Sequence, residues 1–247
     1  MDEEYIYDSR YETDGNIAHI IGCVAAKVLV AKQICPKITV ILRENPTNMA
    51  LNAYKLLGLP VLCTNKNVQG QLVIASSHID GDFEPLYRSL FGELAFEGYN
   101  KQTPERVFIS RKGTRSLINE NEVEQTLKEY GFWKVYFEDI PVSEQWSITK
   151  NAKAIVGLHG AALCSLVFNR NAVKLVELFH PGYVVNGYRH YTNAIGGTWC
   201  GVTGQLPENI ITELDVKQNA RSFALLPTKI DITSLRMVLD YMGIDRQ

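Results

Sequence analysis

Ala154-Ile-Val-Gly-Leu-His-Gly-Ala-Ala-Leu-Cys-Ser-Leu-Val-Phe168 is the stretch on which the reading of this chain turns. It begins as a short apolar run, the pattern of a strand buried on both faces. Gly160 and the two alanines after it leave the backbone unshielded, and an apolar helical run follows to about 168. A strand that passes through a glycine turn into a helix presents free N–H groups and the positive end of the helix dipole at one place. That place suits an anion, and His159 stands where it can donate to a phosphate oxygen. The segment fits equally a tight strand-to-helix turn holding a structural histidine. Taken alone it is balanced between the two.

The same alternation of strand and helix extends in both directions. Downstream of residue 100 the pattern predicts strands at 106–110, 133–138, 153–158, 173–178 and 198–202. Helices are expected at 119–130, 143–151 and 161–168, with a helix-like stretch at 184–194. Upstream it predicts a helix over 16–34, a strand at 38–43, a helix over 47–57 set between Pro46 and Gly58, a short strand near 61, a strand at 71–76 and a helix at 84–95. Such alternation means a parallel sheet covered by helices on both faces. Gly98-Tyr-Asn-Lys-Gln-Thr-Pro104 is polar and turn-rich, the best place for a linker. The expectation is an α/β protein of two Rossmann-like lobes, 1–100 and 101–247. Its last helix, about 231–242, is capped by Asp231 or Thr233 and is free to pack back on the first lobe. Ligands of such folds lie at the carboxyl ends of the strands, and a cleft between lobes adds a second wall.

Bulk properties narrow the function. The 247 residues are 46% hydrophobic and 21% charged with a net charge of −2, an ordinary globular mix without a basic run, which argues against nucleic-acid binding. Cys23, Cys35, Cys63, Cys164 and Cys200 form no C-x-x-C pair, so neither a disulfide framework nor a zinc site is expected. A reducing, cytoplasmic setting fits this usage. The start, Met-Asp-Glu-Glu-Tyr, is too polar for a signal peptide. The apolar stretch Gly15–Cys35 carries His19, Lys27 and Lys32, and reads as a buried helix rather than a membrane span.

Chemistry gathers after the expected strands. Ser110, Arg111 and Arg115 lie at or just past one strand end, with Gly113 allowing a turn, and arginine forks match phosphate oxygens. Glu177, near the end of another strand, can accept from ribose hydroxyls. Phe137 or Ile140 can back a base, although core packing suits Phe137 as well. Asn16 is a good N-cap for the long helix and His19 lies one turn in. His78 and Asp80 follow a strand and can line the same cleft. Asp80-Gly-Asp82 is too common a pattern to mark a metal, and Walker A, G-x-G-x-x-G, G-x-S-x-G and H-E-x-x-H patterns are all missing.

The ordered series Ile109-Ser-Arg111, Arg115, Asn119 to Val123, Gly131-Phe132, Val142-Ser-Glu-Gln145, Ile155 to Leu163, Phe168 and Val176-Glu-Leu178 resembles the glycosyltransferase 61 family. In the first lobe only Asn16-x-x-His19 matches. The resemblance implies a GT-B fold and inverting transfer from a UDP-sugar without a metal or cofactor. It assigns Ser110, Arg111 and Arg115 to the diphosphate, with His159, Gly160, Ala161 and Ala162 completing that site. Glu177 would face the nucleoside, and Glu144 and Gln145 would lie in or behind its pocket. Asn16, His19 and His78 fall on the acceptor side. One departure matters: the family often carries an acid four positions past the histidine, where this chain has Cys23. Inversion needs a base for the acceptor hydroxyl, and His19, Asp14 and Asp80 are the choices left open. The expected activity is transfer of xylose or N-acetylglucosamine to a hydroxyl of an oligosaccharide or glycan. The alternative is a non-catalytic nucleotide-sugar-binding module of a polysaccharide assembly complex.

Overall fold

A computed structural model describes residues 2–74, 90–91, 102–206 and 225–247. His78, Asp80, most of the expected helix at 84–95 and most of the expected linker lie outside the described residues.

The first sheet has the order β3-β2-β1-β4, all parallel, from β1 (Asp2–Asp8), β2 (Ile38–Leu42), β3 (Val61–Cys63) and β4 (Gln69–Leu72). β1 was not expected from its acidic start. It forms because Ile6 and Tyr7 are buried and its backbone fills the place between β2 and β4. Asn16 caps the following helix, its side chain accepting from the Ala18 N–H at 3.0 Å. That helix opens as Ile17–His19, widens to a π-helix over Ile20–Ala25, and closes as Ala26–Lys32. Its apolar residues enter the core as the sequence predicts, with Ile20, Ile21, Val24 and Val28 all buried. The Thr47 hydroxyl caps the helix Asn48–Leu56 by accepting from Ala50 N–H at 3.1 Å. Gly58 ends it in the left-handed region, φ 63°.

The second sheet is β5 (Arg106–Ser110), β6 (Trp133–Tyr136), β7 (Ala154–Leu158), β8 (Lys174–Phe179) and β9 (Thr198–Thr203), in the order β6-β5-β7-β8-β9 and again all parallel. From β5 the chain steps outward to β6, then returns to the other side of β5 for β7. The loops after β5 and β7 therefore diverge, and a crevice opens between them at the carboxyl ends. This is the switch point of the sheet. It carries the Arg111–Arg115 loop and the His159–Ala162 turn.

The two sheets share one apolar core. Ile20, Val40 and Tyr54 from one side belong to the same buried cluster as Val107, Trp146, Ile155 and Phe168 from the other. Helix Asn48–Leu56 packs on helix Val142–Asn151, and Ile17–His19 packs on the run Ala161–Phe168. Trp146 and Phe168 lie 4.4 Å apart between ring centroids. Ala161–Phe168 is helical as expected, with 3-10 pitch. Ser165 tightens its turn by donating to the Ala162 carbonyl at 2.9 Å. Among the described residues the buried side chains of the last helix, Ile232–Tyr241, belong to a cluster on the second sheet. Leu235 and Leu239, one turn apart, bury against Phe108, Val156 and Val176 on the outer face of the second.

Candidate functional site

The switch-point crevice is built from two loops that meet at one carbonyl. Nη1 of Arg111 donates to the His159 oxygen at 3.3 Å, and Nη1 of Arg115 donates to the same oxygen at 3.2 Å. Two guanidinium groups are thus brought against the glycine turn, although they sit far away in sequence. Arg115 reaches this position with a left-handed backbone, φ 60°, just after Gly113 at φ 78°. For a residue with a Cβ that costs about 1–2 kcal/mol. Its guanidinium carbon lies 5.2 Å from the ring centroid of Tyr183. Gly160 is a spatial requirement: a Cβ there would come 2.5 Å from Nη1 of Arg111. The first bond of the 3-10 helix runs from Leu163 N–H to Gly160 O at 3.1 Å. The N–H groups of Ala161 and Ala162 precede it and have no intrahelical acceptor.

His159 itself is held from several sides. Its backbone N–H donates to Leu178 O at 2.9 Å. Its ring stacks on Phe179 with centroids 5.4 Å apart and 20° between planes, and Tyr183 and Tyr188 each lie 5.4 Å away. Nδ1 faces Oε1 of Glu177 at 2.5 Å, and the Trp199 indole N–H donates to Oε2 at 2.7 Å. Glu177 is completely buried. Register explains how a carboxylate fits there: its direct neighbours on β7 and β9 are Gly157 and Gly201. Both oxygens are engaged inside the protein, so in this arrangement the expected contact with a nucleoside is not made.

Ser110 also differs from its expected role. Strand alternation points Ile109 into the shared core and Ser110 to the opposite face. There the buried hydroxyl donates to Glu120, whose Oε1 also accepts from Tyr136 OH at 2.9 Å. Ser110 braces the helix Glu120–Glu129 and is not turned toward the arginines. Gln145 braces too, donating to the carbonyls of Phe137 at 2.8 Å and Ile140 at 3.0 Å. Glu144 opens on a groove with Gln102, Thr103, Pro104, Glu105, Trp133 and Ile148, at the amino ends of β5 and β6. That is the end of the sheet away from the arginines.

Across from the second sheet, the loop after β1 carries the first-lobe candidates. Asp14 is buried, accepting from Arg43 and from the Thr47 N–H at 2.9 Å. Burial acts to raise its carboxyl, but the Thr47 N–H and the Arg43 guanidinium outweigh it and hold the group below its ordinary value. Asp14 is therefore fixed as a structural anion. Asn16 is occupied in capping. His19 is exposed at the start of the helix that packs on Ala161–Phe168, and its Nδ1 lies 3.9 Å from the Cys23 sulfur. Cys23 lies in the π-helical stretch, and burial followed by the charge of Glu12 pushes its thiol up. It offers no thiolate at neutral pH. Sequence reasoning missed Trp199, Phe179 and Tyr183, the groups that fix His159. Only strand register could have found Trp199. His180, just beyond β8, is buried, with its Nδ1 accepting from Gly182 N–H at 3.0 Å. Among the described residues no cluster of three or more His, Cys, Asp or Glu could hold a metal. No helix among them is long and apolar enough to cross a membrane.

Arginine forks and helix-start N–H groups thus meet at the switch point of a parallel sheet in an α/β protein. The family model described as Glycosyltransferase 61 matches residues 34–176. The chain belongs to that family. It is similar to the EGF domain-specific O-linked N-acetylglucosamine transferase of Drosophila melanogaster, with 32% identity over 77 residues, covering 30% of this chain and 15% of that protein. Among solved structures it is similar to the iron-containing dodecameric glycosyltransferase TibC of enterotoxigenic E. coli, at 13% identity and TM-score 0.45, covering 74% of this chain and 59% of that one. A second TibC structure, a heptosyltransferase in complex with ADP-D-beta-D-heptose, aligns at 12% identity and TM-score 0.44, over 73% of this chain and 59% of that one. The chain thus spans only part of the length of the relatives it matches.

Proposed function

We propose that this chain is an inverting glycosyltransferase that moves a sugar from a UDP-sugar to a hydroxyl of a glycan, without a metal ion. Xylose and N-acetylglucosamine are the favoured sugars. The observation that carries the reading is the convergence of Arg111 and Arg115 on the His159 carbonyl beside Gly160. There the donor diphosphate would lie against two guanidinium groups and the N–H groups of Ala161 and Ala162. In a GT-B-like division, residues 101–247 would hold the donor, and residues 1–100 would face the acceptor.

The chemistry follows from those positions. The acceptor oxygen attacks C1 of the sugar as the bond from C1 to the phosphate oxygen breaks. UDP leaves with the bonding electrons, and its growing charge falls where the fixed donors point. The guanidinium groups fill the place of a divalent cation. The acceptor proton goes to a base on the first lobe. Of the two candidates among the described residues we assign this role to His19, because Asp14 is committed to Arg43 and Thr47 while His19 is exposed beside the second lobe; Asp80, outside those residues, is the alternative.

Titration with UDP tests the reading. Arg111→Ala is expected to weaken UDP binding by about 10- to 100-fold, the worth of a charge-assisted hydrogen bond. Absence of binding at millimolar UDP, or an unchanged affinity in the variant, sinks it. Cys23 favours a second reading, a nucleotide-sugar-binding module without turnover, since no carboxylate stands at that position. Binding without transfer or hydrolysis over a broad screen of donors and acceptors would establish the module instead.

A further inference from the structure

We infer that Glu177 is a positioning residue, which acts through His159 to aim Nε2 of that ring at the donor diphosphate. The inference rests on the diphosphate reading above and adds to it the atom that makes the contact. A carboxylate in the middle of β8, wholly buried, needs an explanation. It cannot touch a ligand, because its two oxygens accept from His159 Nδ1 and Trp199 Nε1. Whatever it does for the site passes through one of those partners, and of the two it is His159 that carries both arginines on its carbonyl and lines a pocket with Arg115 and Tyr183.

Three features fix the outcome. Accepting from Nδ1 sets that nitrogen as the N–H and leaves Nε2 as the ring atom for a ligand. The stack on Phe179 and the flanking Tyr183 and Tyr188 prevent the ring from turning. The backbone is pinned at both ends, its N–H on Leu178 O and its carbonyl between the two arginines. With only 12% of the side chain exposed, the ring presents little more than one edge. Nε2, carrying the second proton, donates to a phosphate oxygen, and the buried carboxylate balances the imidazolium behind it. The groups that face this ring are Glu177 on β8, Arg111 and Arg115 from the loop after β5, Tyr183 from the loop after β8, and Tyr188 from the helix Gly187–Ala194.

The test uses the full chain at one pH, with UDP and inorganic pyrophosphate as probes, titrated calorimetrically. In Glu177→Gln the affinity for both probes should drop about 10-fold. His159→Gln should lose at least as much, and adding Glu177→Gln to it should cost little more. Trp199→Phe removes one hydrogen bond to the carboxylate and gives a milder variant should Glu177→Gln fold poorly. It should show a smaller loss of affinity for the same probes. Nitrogen NMR of the ligand-free protein reads the ring directly: wild type should show the proton on Nδ1, and Glu177→Gln should lose that preference. Unchanged affinity in both Glu177→Gln and Trp199→Phe overturns this inference alone, as does a His159 proton on Nε2 only. Failure of wild type to bind either probe overturns the diphosphate reading and, with it, the phosphate contact.

Discussion

Gly160 and Arg111 occupy one space. The glycine's φ of 166° is extended backbone that any residue adopts, so conformation does not demand it. What demands it is the guanidinium 2.5 Å from where a Cβ would stand. Gly160→Ala should therefore push aside the flexible end of Arg111 at little expense to the fold, less than about 1 kcal/mol. The donor site should lose about tenfold or more in UDP affinity. Paired thermal melts and UDP titrations check both halves. His180 governs a different property. Burial, then the positive charge of Arg115, holds its imidazole below the ordinary value. The unfolded chain thus takes up a proton before the folded one does as pH falls. The stability His180 contributes is complete above about pH 6.5, the unfolded value, and is lost as pH drops from there toward the folded one. Melts at pH 7 and 5.5 should show a decline, and His180→Gln should flatten it. At this scale the sequence was informative about type and silent about partner. The place of the arginines and of His159 after strands foretold that they would meet at one end of the sheet, as they do at the His159 carbonyl. Glu177 was assigned to a nucleoside because its pairing with His159 depends on the register of β7 with β8, which spacing does not reveal. Ser110 needed only alternation: with Ile109 turned into the core, its neighbour had to face the other way.

Among the elements, the strands after residue 100 were legible because each is an apolar run between turn residues, and all five of β7 are buried. β1 was not, since Asp2-Glu-Glu resembles a solvated tail and hides the short Tyr5-Ile-Tyr7 run that enters the sheet. The π-helical stretch Ile20–Ala25 and the 3-10 run Ala161–Phe168 were both legible as helix but not in their pitch. Their apolar patterns fit a helix of any pitch, and the two segments pack near each other in the shared core. The last helix was read within a residue at each end, because its start has a local cause. Asp231 accepts from the Ser234 N–H at 2.7 Å. Asp231→Ala should cost about 1 kcal/mol, read by denaturant unfolding, with UDP binding unaffected.

For the whole molecule, the expectation of two lobes around a cleft captured the two parallel sheets but not how they are joined. Trp146 and Phe168 stand in the same buried cluster as Ile20 and Tyr54, so neither sheet closes its core alone. Unfolding should accordingly follow one transition, with far- and near-ultraviolet circular dichroism coincident. Trp146→Ala should lower that transition by about 3–5 kcal/mol without splitting it. Two separated steps would show that the sheets are independent. A shared core also limits how such a chain can be recombined. A hybrid that takes one sheet from a relative and keeps the other here would join two surfaces shaped for different counterparts. Ile17, Ile20 and Tyr54 would then have to travel with the donor half of Trp146, Leu163 and Phe168, so the unit of exchange is the interface rather than either sheet.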